Sequence, residues 1–296
     1  MSSMNRRDFI KRTAGAVAAT SLAGAVTAEQ AVSAPLTATT VRTLGKTGIE
    51  VTLLGMGSGV KAWNGQSELT RLGRDACLEV IRHAYEKGIR YFDMADQYGI
   101  HFYMGQLLRH GPIERDKCTF LTKTSSREPD LVRADLERFR KELDTDRLDI
   151  VLLHCMTDGN WPEALGPCME VLEEAKQKGI IRAHGVSCHE VAALEQAATC
   201  PWVDVVLARI NPFGVKMDGP VENVVPLVKK AHENGKGVLG MKIVGEGQLA
   251  DKLPESLRFA MELGVVDAMP IGFLASDEID GAMAHIDAIG KTLAGA

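Results

Sequence analysis

The chain has 296 residues, 45% of them hydrophobic and 25% charged, with a formal net charge of −5. These proportions exclude a disordered chain, a collagen and a coiled coil, and no run approaches the ~18 apolar residues of a membrane-spanning helix. The body of the chain carries no dense Lys/Arg cluster, so a nucleic-acid partner is not expected.

Residues 1–28 read as a targeting segment rather than as fold. Arg6, Arg7, Lys11 and Arg12 precede a weakly apolar Ala/Gly run, and Val26-Thr27-Ala28 offers small residues for a cleavage site. The stretch Asn5-Arg6-Arg7-Asp8-Phe9-Ile10-Lys11 resembles a twin-arginine export signal. That resemblance implies the export machinery as a partner, a periplasmic location, no stable membrane insertion once the segment is cleaved, and a cofactor loaded before export. Removing residues 1–28 takes away four positive charges and one negative, moving the net charge from −5 to −8. Residues 29–40 are expected to be a flexible mature N-terminus, followed by one domain over 41–296.

Within that domain, short apolar runs alternate with amphipathic segments. The first segment, Val41–Val51, reads as a β-hairpin that plugs the bottom of a barrel. Strands are expected at Leu53–Ser58, Tyr91–Ala95, Cys118–Lys123, Asp149–His154, Ala183–Ser187, Val203–Ile210, Val238–Ile243 and Asp267–Ile271. Helical patterns lie between them at Asp75–Lys87, Leu131–Leu143, Cys168–Lys178, Val224–Asn234 and Glu255–Leu263, and glycine follows several of them in the C-cap position. Eight strands alternating with helices over ~250 residues predict an α/β fold of the (β/α)8 TIM-barrel type. An open doubly wound sheet would carry a phosphate loop after its first strand, and Gly55-Met56-Gly57-Ser58-Gly59-Val60 lacks the third glycine of G-x-G-x-x-G. The six cysteines include no C-x-x-C pair and lie in apolar runs, which favours buried free thiols over clusters or disulfides.

Barrel chemistry sits at the carboxyl ends of strands. Reading those ends in order brings Asp93, Tyr98, Lys123 and His154 together from three adjacent strands. A lysine ending a buried strand needs a carboxylate, and Asp93 is the nearest in topology. The charge of Lys123 is expected to lower the pKa of the Tyr98 phenol and make it a proton donor and acceptor near neutral pH. His154 is placed to bond and orient a substrate carbonyl.

With VRTLGKTGIEV, KGIRYFDMADQYG (Lys87–Gly99), FLTKT, LDIVLLH (Leu148–His154) and HGVSCH (His184–His189), the chain resembles the aldo-keto reductases over about residues 41–290. The resemblance implies a (β/α)8 barrel and NAD(P)-dependent interconversion of a carbonyl and an alcohol. Tyr98 would be the general acid, Lys123 and Asp93 would tune it, and His154 would polarise or orient the carbonyl. On the cofactor side it implies Ser187 and Met241, while Lys242 at the end of the seventh strand and the glycine loop with Gly245 and Gly247 read as a phosphate cradle. Departures from the family pattern fall here: Ser187 is followed by Cys188 rather than Asn, Leu207 replaces a glutamine, and Met241 replaces the stacking aromatic. Glu278 and Ala282 stand where the 2′-phosphate arginine and adenine-contacting asparagine are usual; this argues against an ordinary NADP preference and leaves NAD, weak binding or a changed cofactor open. Trp63, Trp161, Arg209 and Asn211 are expected at the substrate pocket. No metal is expected, since no strand end carries a His-x-His. A glycoside hydrolase would need two carboxylates where His154 and Met241-Lys242 stand. The remaining rival is a barrel that binds a ligand or partner without turnover.

Overall fold

The computed structural model describes residues 34–295. The export-signal reading, residues 1–28, lies outside the described residues. A hairpin of β1 (Val41–Thr43) and β2 (Glu50–Thr52) precedes eight parallel strands: β3 (Leu54–Gly57), β4 (Tyr91–Asp93), β5 (Thr119–Thr124), β6 (Leu148–Met156), β7 (Ile181–Cys188), β8 (Val205–Arg209), β9 (Gly237–Met241) and β10 (Met269–Gly272). Their order is β10-β3-β4-β5-β6-β7-β8-β9. A parallel bridge between Leu239 and Ala268, with Gly240 N–H donating to the Ala268 carbonyl at 2.9 Å, brings the two ends together. This is the expected (β/α)8 barrel.

The helices are α1 (Glu68–Arg71), α2 (Arg74–Glu86), α3 (His101–His110), α4 (Pro129–Leu143), α5 (Trp161–Ala164), α6 (Gly166–Gln177), α7 (Val191–Thr199), α8 (Val221–Glu233), α9 (Leu253–Glu262) and α10 (Ser276–Ala294). In α4 the local causes are plain. Pro129 opens the first turn with Asp130 beside it, and Arg140 and Lys141 lie at the negative end of the dipole. Val132, Leu136, Phe139 and Leu143 form the buried stripe at helical spacing.

Strand alternation sorts the core into two shells. Tyr91, Leu121, Ile150, Leu152, Val205, Leu207 and Leu239 point into the barrel, where Leu44, Ile49 and Val51 of the hairpin close its lower end. The intervening Phe92, Phe120, Val151, Val206 and Val238 face the helices. Continuing the inward rows one step towards the carboxyl ends reaches Asp93, Lys123, His154, Ser187, Arg209 and Met241. The period of two that builds the core therefore also builds the upper rim.

One boundary needs correction. Residues 36–40 are packed rather than flexible: Ala38 is fully buried, its N–H donates to Asp287 Oδ1 at 2.9 Å, and its carbonyl accepts from Leu54 N–H at 2.9 Å. Thr40 continues the contact by accepting from Leu53 N–H. Among the described residues no helix is long and apolar enough to cross a membrane.

Candidate active site

Asp93, Lys123 and His154 end adjacent strands β4, β5 and β6, and Tyr98 follows β4 in a short 3-10 turn at Asp96–Tyr98. Lys123 is 1% exposed. Its ammonium donates to the Asp93 carboxylate, to the Met94 carbonyl at 2.8 Å and towards the Tyr98 hydroxyl at 3.5 Å. The Tyr98 hydroxyl lies 3.4 Å from His154 Nε2. Gly59 makes room for this ring, since a Cβ there would stand 2.3 Å from the Tyr98 ring carbons. The four residues thus meet at one barrel end.

The electrostatics differ from expectation. Burial pushes the Tyr98 phenol well above its ordinary value, with Asp93, Cys155 and Asp96 adding to it. The expected lowering by Lys123 does not occur, because that ammonium is already paired with Asp93. His154 is held below the usual imidazole range by burial, partly opposed by a hydrogen bond to Asp96. At neutral pH the site therefore holds a protonated phenol against a neutral imidazole.

Behind His154 lies a group absent from the sequence reading. Ser125 Oγ is 3.3 Å from His154 Nδ1 and 3.1 Å from Asp96 Oδ1, and Ser125 N–H donates to Asp96 Oδ2 at 2.7 Å. Arg127 donates to the His154 carbonyl at 2.6 Å. Asp96 lies inside the D-x-A-x-x-Y stretch and Ser125 two residues after Lys123. Their nearness to the site was visible in the sequence, but not the convergence of the two loops on one imidazole nitrogen.

A cleft leads away from Tyr98. Its inner part, about 70 Å³, is lined by Gly57, Gly59, Asp93, Tyr98, Met241 and Lys242. It adjoins an outer part of about 300 Å³ that reaches Gly247, Leu274, Glu278 and Ala282, the two sharing Val60, Val244 and Glu246. Gly245, Glu246 and Gly247 all adopt positive φ, so this loop turns sharply beside the cleft. Lys242 Nζ donates to Glu246 Oε1 at 2.6 Å, and Lys216 stands 3.6 Å from the other carboxylate oxygen, leaving the loop one net positive charge. Ser187 is fully buried, and its Oγ accepts the Cys155 N–H at 2.8 Å.

The four expected pocket residues divide. Trp63 is 77% exposed, on a turn whose Gly65 N–H donates to the Gln97 carbonyl beside Tyr98. Arg209 points inward at the end of β8. Trp161 is a correction: it is buried against Trp202, with Nε1–H donating to the Ala193 carbonyl, and anchors α5. Asn211 is a second correction. Its amide donates to the Val215 and Lys242 carbonyls, and its Oδ1 accepts from the Phe213 and Val215 N–H groups, so it is fully occupied in shaping the loops.

His154, Cys155 and His189 bring potential metal-ligand atoms within 4.8 Å of one another. Arg209, always a donor, bonds to His189 Nδ1, so Nε2 carries that ring's hydrogen and turns it towards Cys155 Sγ at 3.5 Å. Lys123, Arg209, Arg127 and Lys242 all bear on the same thiol. That tautomer and those four cations oppose a metal ion. All six cysteines are free, and five are buried.

The aldo/keto reductase family profile matches residues 55–262, and the chain belongs to this family of oxidoreductases. It is 24% identical over 239 residues to a D-threo-aldose 1-dehydrogenase of a Pseudomonas species, covering 70% of each chain. It is 25% identical over 212 residues to an NADH-specific methylglyoxal reductase of Escherichia coli, covering 63% of this chain and 62% of that one. A match to the Salmonella typhi methylglyoxal reductase DkgB, 27% identical over 148 residues, covers 48% of this chain and 55% of that protein. The chain thus spans about half to two thirds of the length of the two methylglyoxal reductases. Among solved structures, an aldo-keto reductase of Bacillus halodurans in its holo form superposes with a TM-score of 0.68 at 19% identity, covering 86% of this chain and 96% of that one. That likeness carries the fold.

Proposed function

We propose that this oxidoreductase interconverts a small carbonyl compound and its alcohol with a nicotinamide dinucleotide, Tyr98 giving and taking the proton. The observation that carries the reading is the contact line from Lys123 through the Tyr98 hydroxyl to His154, at the inner end of a cleft long enough for an extended ligand. Met241 and Ser187 would face the nicotinamide, and Lys242 with the Gly245–Gly247 turn would hold the pyrophosphate. The bound dinucleotide supplies or accepts the hydride. The chain itself orients the substrate oxygen against Tyr98 and supplies the proton from a phenol that burial keeps loaded. Family membership and this geometry favour turnover over a barrel that only binds.

Glu278 lines the outer cleft and accepts the Leu274 N–H at 2.7 Å, which keeps a carboxylate beside the far end of the ligand. We propose a preference for NAD over NADP on that ground. The relatives' names make sugars and small aldehydes the first substrates to test. Titrating purified protein with NADH and NADPH by fluorescence quenching, then assaying oxidation of the bound form by methylglyoxal and aldoses, tests both proposals. Quenching by neither dinucleotide would sink the cofactor assignment, and clearly tighter NADPH would reverse the preference.

We also propose export by the twin-arginine route, on the Asn5–Lys11 stretch. Outside the cytoplasm a freely exchanging nicotinamide would not be recycled, so the cofactor should travel with the folded protein. Fractionation of cells expressing the full chain, and assay of NAD(P) released by denaturing the exported form, test this. An exported enzyme that is cofactor-free yet active with added NADPH would be a conventional reductase.

A further inference from the structure

The structure assigns Asp96 and Ser125 as the positioning pair that fixes the tautomer of His154, with its hydrogen on Nδ1 and a bare Nε2 turned to Tyr98. The inference rests on the acid–base reading of the site and gives His154 a role different from the one the sequence implied.

The Asp96 carboxylate only accepts. It takes the Ser125 N–H at 2.7 Å on Oδ2, and Ser125 Oγ approaches Oδ1 at 3.1 Å, so the single hydroxyl hydrogen of Ser125 is committed to Asp96. Ser125 Oγ therefore has only lone pairs left for His154 Nδ1 at 3.3 Å, and Nδ1 must be the donor. Asp96 Oδ1 lies 3.7 Å from the same nitrogen and reinforces the assignment. A neutral imidazole has one hydrogen, so Nε2 is bare and accepts from the Tyr98 hydroxyl at 3.4 Å. The tyrosine oxygen in turn faces the Lys123 ammonium at 3.5 Å. The result is a directed chain: Lys123 N–H to Tyr98 oxygen, Tyr98 O–H to His154 Nε2, His154 Nδ1–H to Ser125, Ser125 O–H to Asp96.

Other groups around the ring do not disturb it. Lys123 opposes a positive imidazole, while Asp93 and Asp96 favour one. His189 meets the ring edge-on at 6.2 Å and is held neutral, with Arg209 donating to its Nδ1. Arg127 engages the His154 backbone carbonyl rather than the ring. Cys155 turns its sulfur to His189.

With Nε2 bare, His154 cannot donate to a carbonyl oxygen. It is a proton acceptor. In alcohol oxidation the alcohol O–H proton would pass to the Tyr98 oxygen as the Tyr98 proton passes to His154 Nε2, with a bound dinucleotide serving as the acceptor of the hydride. The imidazolium so formed is balanced by Asp96 through Ser125. In reduction Tyr98 gives its proton to the forming alcohol oxygen and is reloaded by a proton taken up at His154 Nε2.

The test reads the tautomer directly. Full-length protein with 15N-labelled histidine, free of cofactor, is examined by long-range 1H–15N correlation near pH 7.5, and the absence of one signal set in His154→Gln assigns it. The Nδ1–H form is expected in the wild type, with the Nε2–H form gaining population in Asp96→Asn and Ser125→Ala, while Ser125→Thr retains the wild-type pattern. Once a substrate is in hand, Asp96→Asn should lower kcat on the order of 10-fold, part of the usual worth of acid–base assistance. The acidic limb of the alcohol-oxidation profile should move to lower pH, since loss of the Asp96 charge weakens the imidazolium. A wild-type His154 in the Nε2–H form, or a tautomer unchanged in both variants, overturns the assignment. If no dinucleotide-dependent turnover is found, the functional reading fails on its own, and the tautomer measurement still decides this one.

Discussion

Burial and charge act against each other at Tyr98, and burial wins. The sequence places a lysine beside the phenol, and a lone cation there would favour phenolate. The structure gives that ammonium a closer partner in Asp93 and a backbone carbonyl in Met94, so the phenol keeps its proton well above the ordinary range. A loaded acid is what carbonyl reduction needs at neutral pH. Tyr98→Phe keeps the ring and loses the proton, and is expected to cut turnover by ~10²–10⁴-fold, with nicotinamide-dependent quenching unchanged. Loss of dinucleotide binding along with activity would mean that the ring, not its hydroxyl, is what matters. Lys123 has a structural side as well. Lys123→Met would leave the Asp93 carboxylate buried without a counter-ion, and breaking such a pair costs about 3–5 kcal/mol. Urea denaturation should show that loss, and Lys123→Met with Asp93→Asn together should recover part of it. A single variant as stable as the wild type would mean that water solvates Asp93.

At the level of elements, what the sequence makes legible follows strand periodicity, and what it hides lies in the loops. Alternation along β4, β5 and β6 carries Asp93, Lys123 and His154 to one rim, so three of the four residues are readable from spacing, and Tyr98 reaches them from the turn after β4. The alternation ends at His154. There the pairing of β6 with β7 slips between Leu153 and Met156, and Cys155 takes a positive φ of 60° with its N–H on Ser187 Oγ. An apolar run gives no sign of such a bulge. Loop residues mislead for a related reason: Trp161 and Trp63 look alike in sequence, yet one lies under Trp202 and the other stands exposed at the rim. Asn211 follows β8 where a polar group facing substrate is plausible, but four backbone groups claim it first. Gly59 is the loop position with the sharpest consequence, because the Tyr98 ring occupies the space of its missing Cβ. Gly59→Ala should displace Tyr98 and lower kcat on the order of 10²-fold, the cost of a misplacement of about 1 Å, while leaving the unfolding midpoint within a few degrees of wild type. Activity near wild type would show that the ring can give way without leaving the reacting geometry.

Over the whole molecule, the buried titratable groups set a pH response in which opposite signs meet. His101, His154, His184 and His189 all sit below the usual imidazole range because burial disfavours their charged form, His189 at about 2. In the unfolded chain they titrate near 6.5, so below that pH the unfolded state binds more protons and stability is lost as pH falls. Asp218 works the other way. Burial raises its carboxyl to about 7, Arg209 only partly opposing it from 3.4 Å, and neither carboxylate oxygen has a hydrogen-bond partner. Between pH 7 and its unfolded value near 3.8 the native state therefore binds the extra proton, and acidification relieves a cost. Across about pH 6.5 to 3.8 Asp218 offsets His189, and Asp267, also raised by burial, adds to it. The three remaining histidines add to the loss on the side of His189. Asp218→Asn removes the offset while keeping the shape, so its stability should fall more steeply than that of the wild type below pH 6.5, by up to about 1.4 kcal/mol for each pH unit. Urea unfolding of both proteins at pH 7.5, 6.0 and 5.0 measures the difference in slope. Parallel lines would mean that Asp218 is ionised in the native state throughout, satisfied by water that reaches Arg209 from the catalytic end of the barrel.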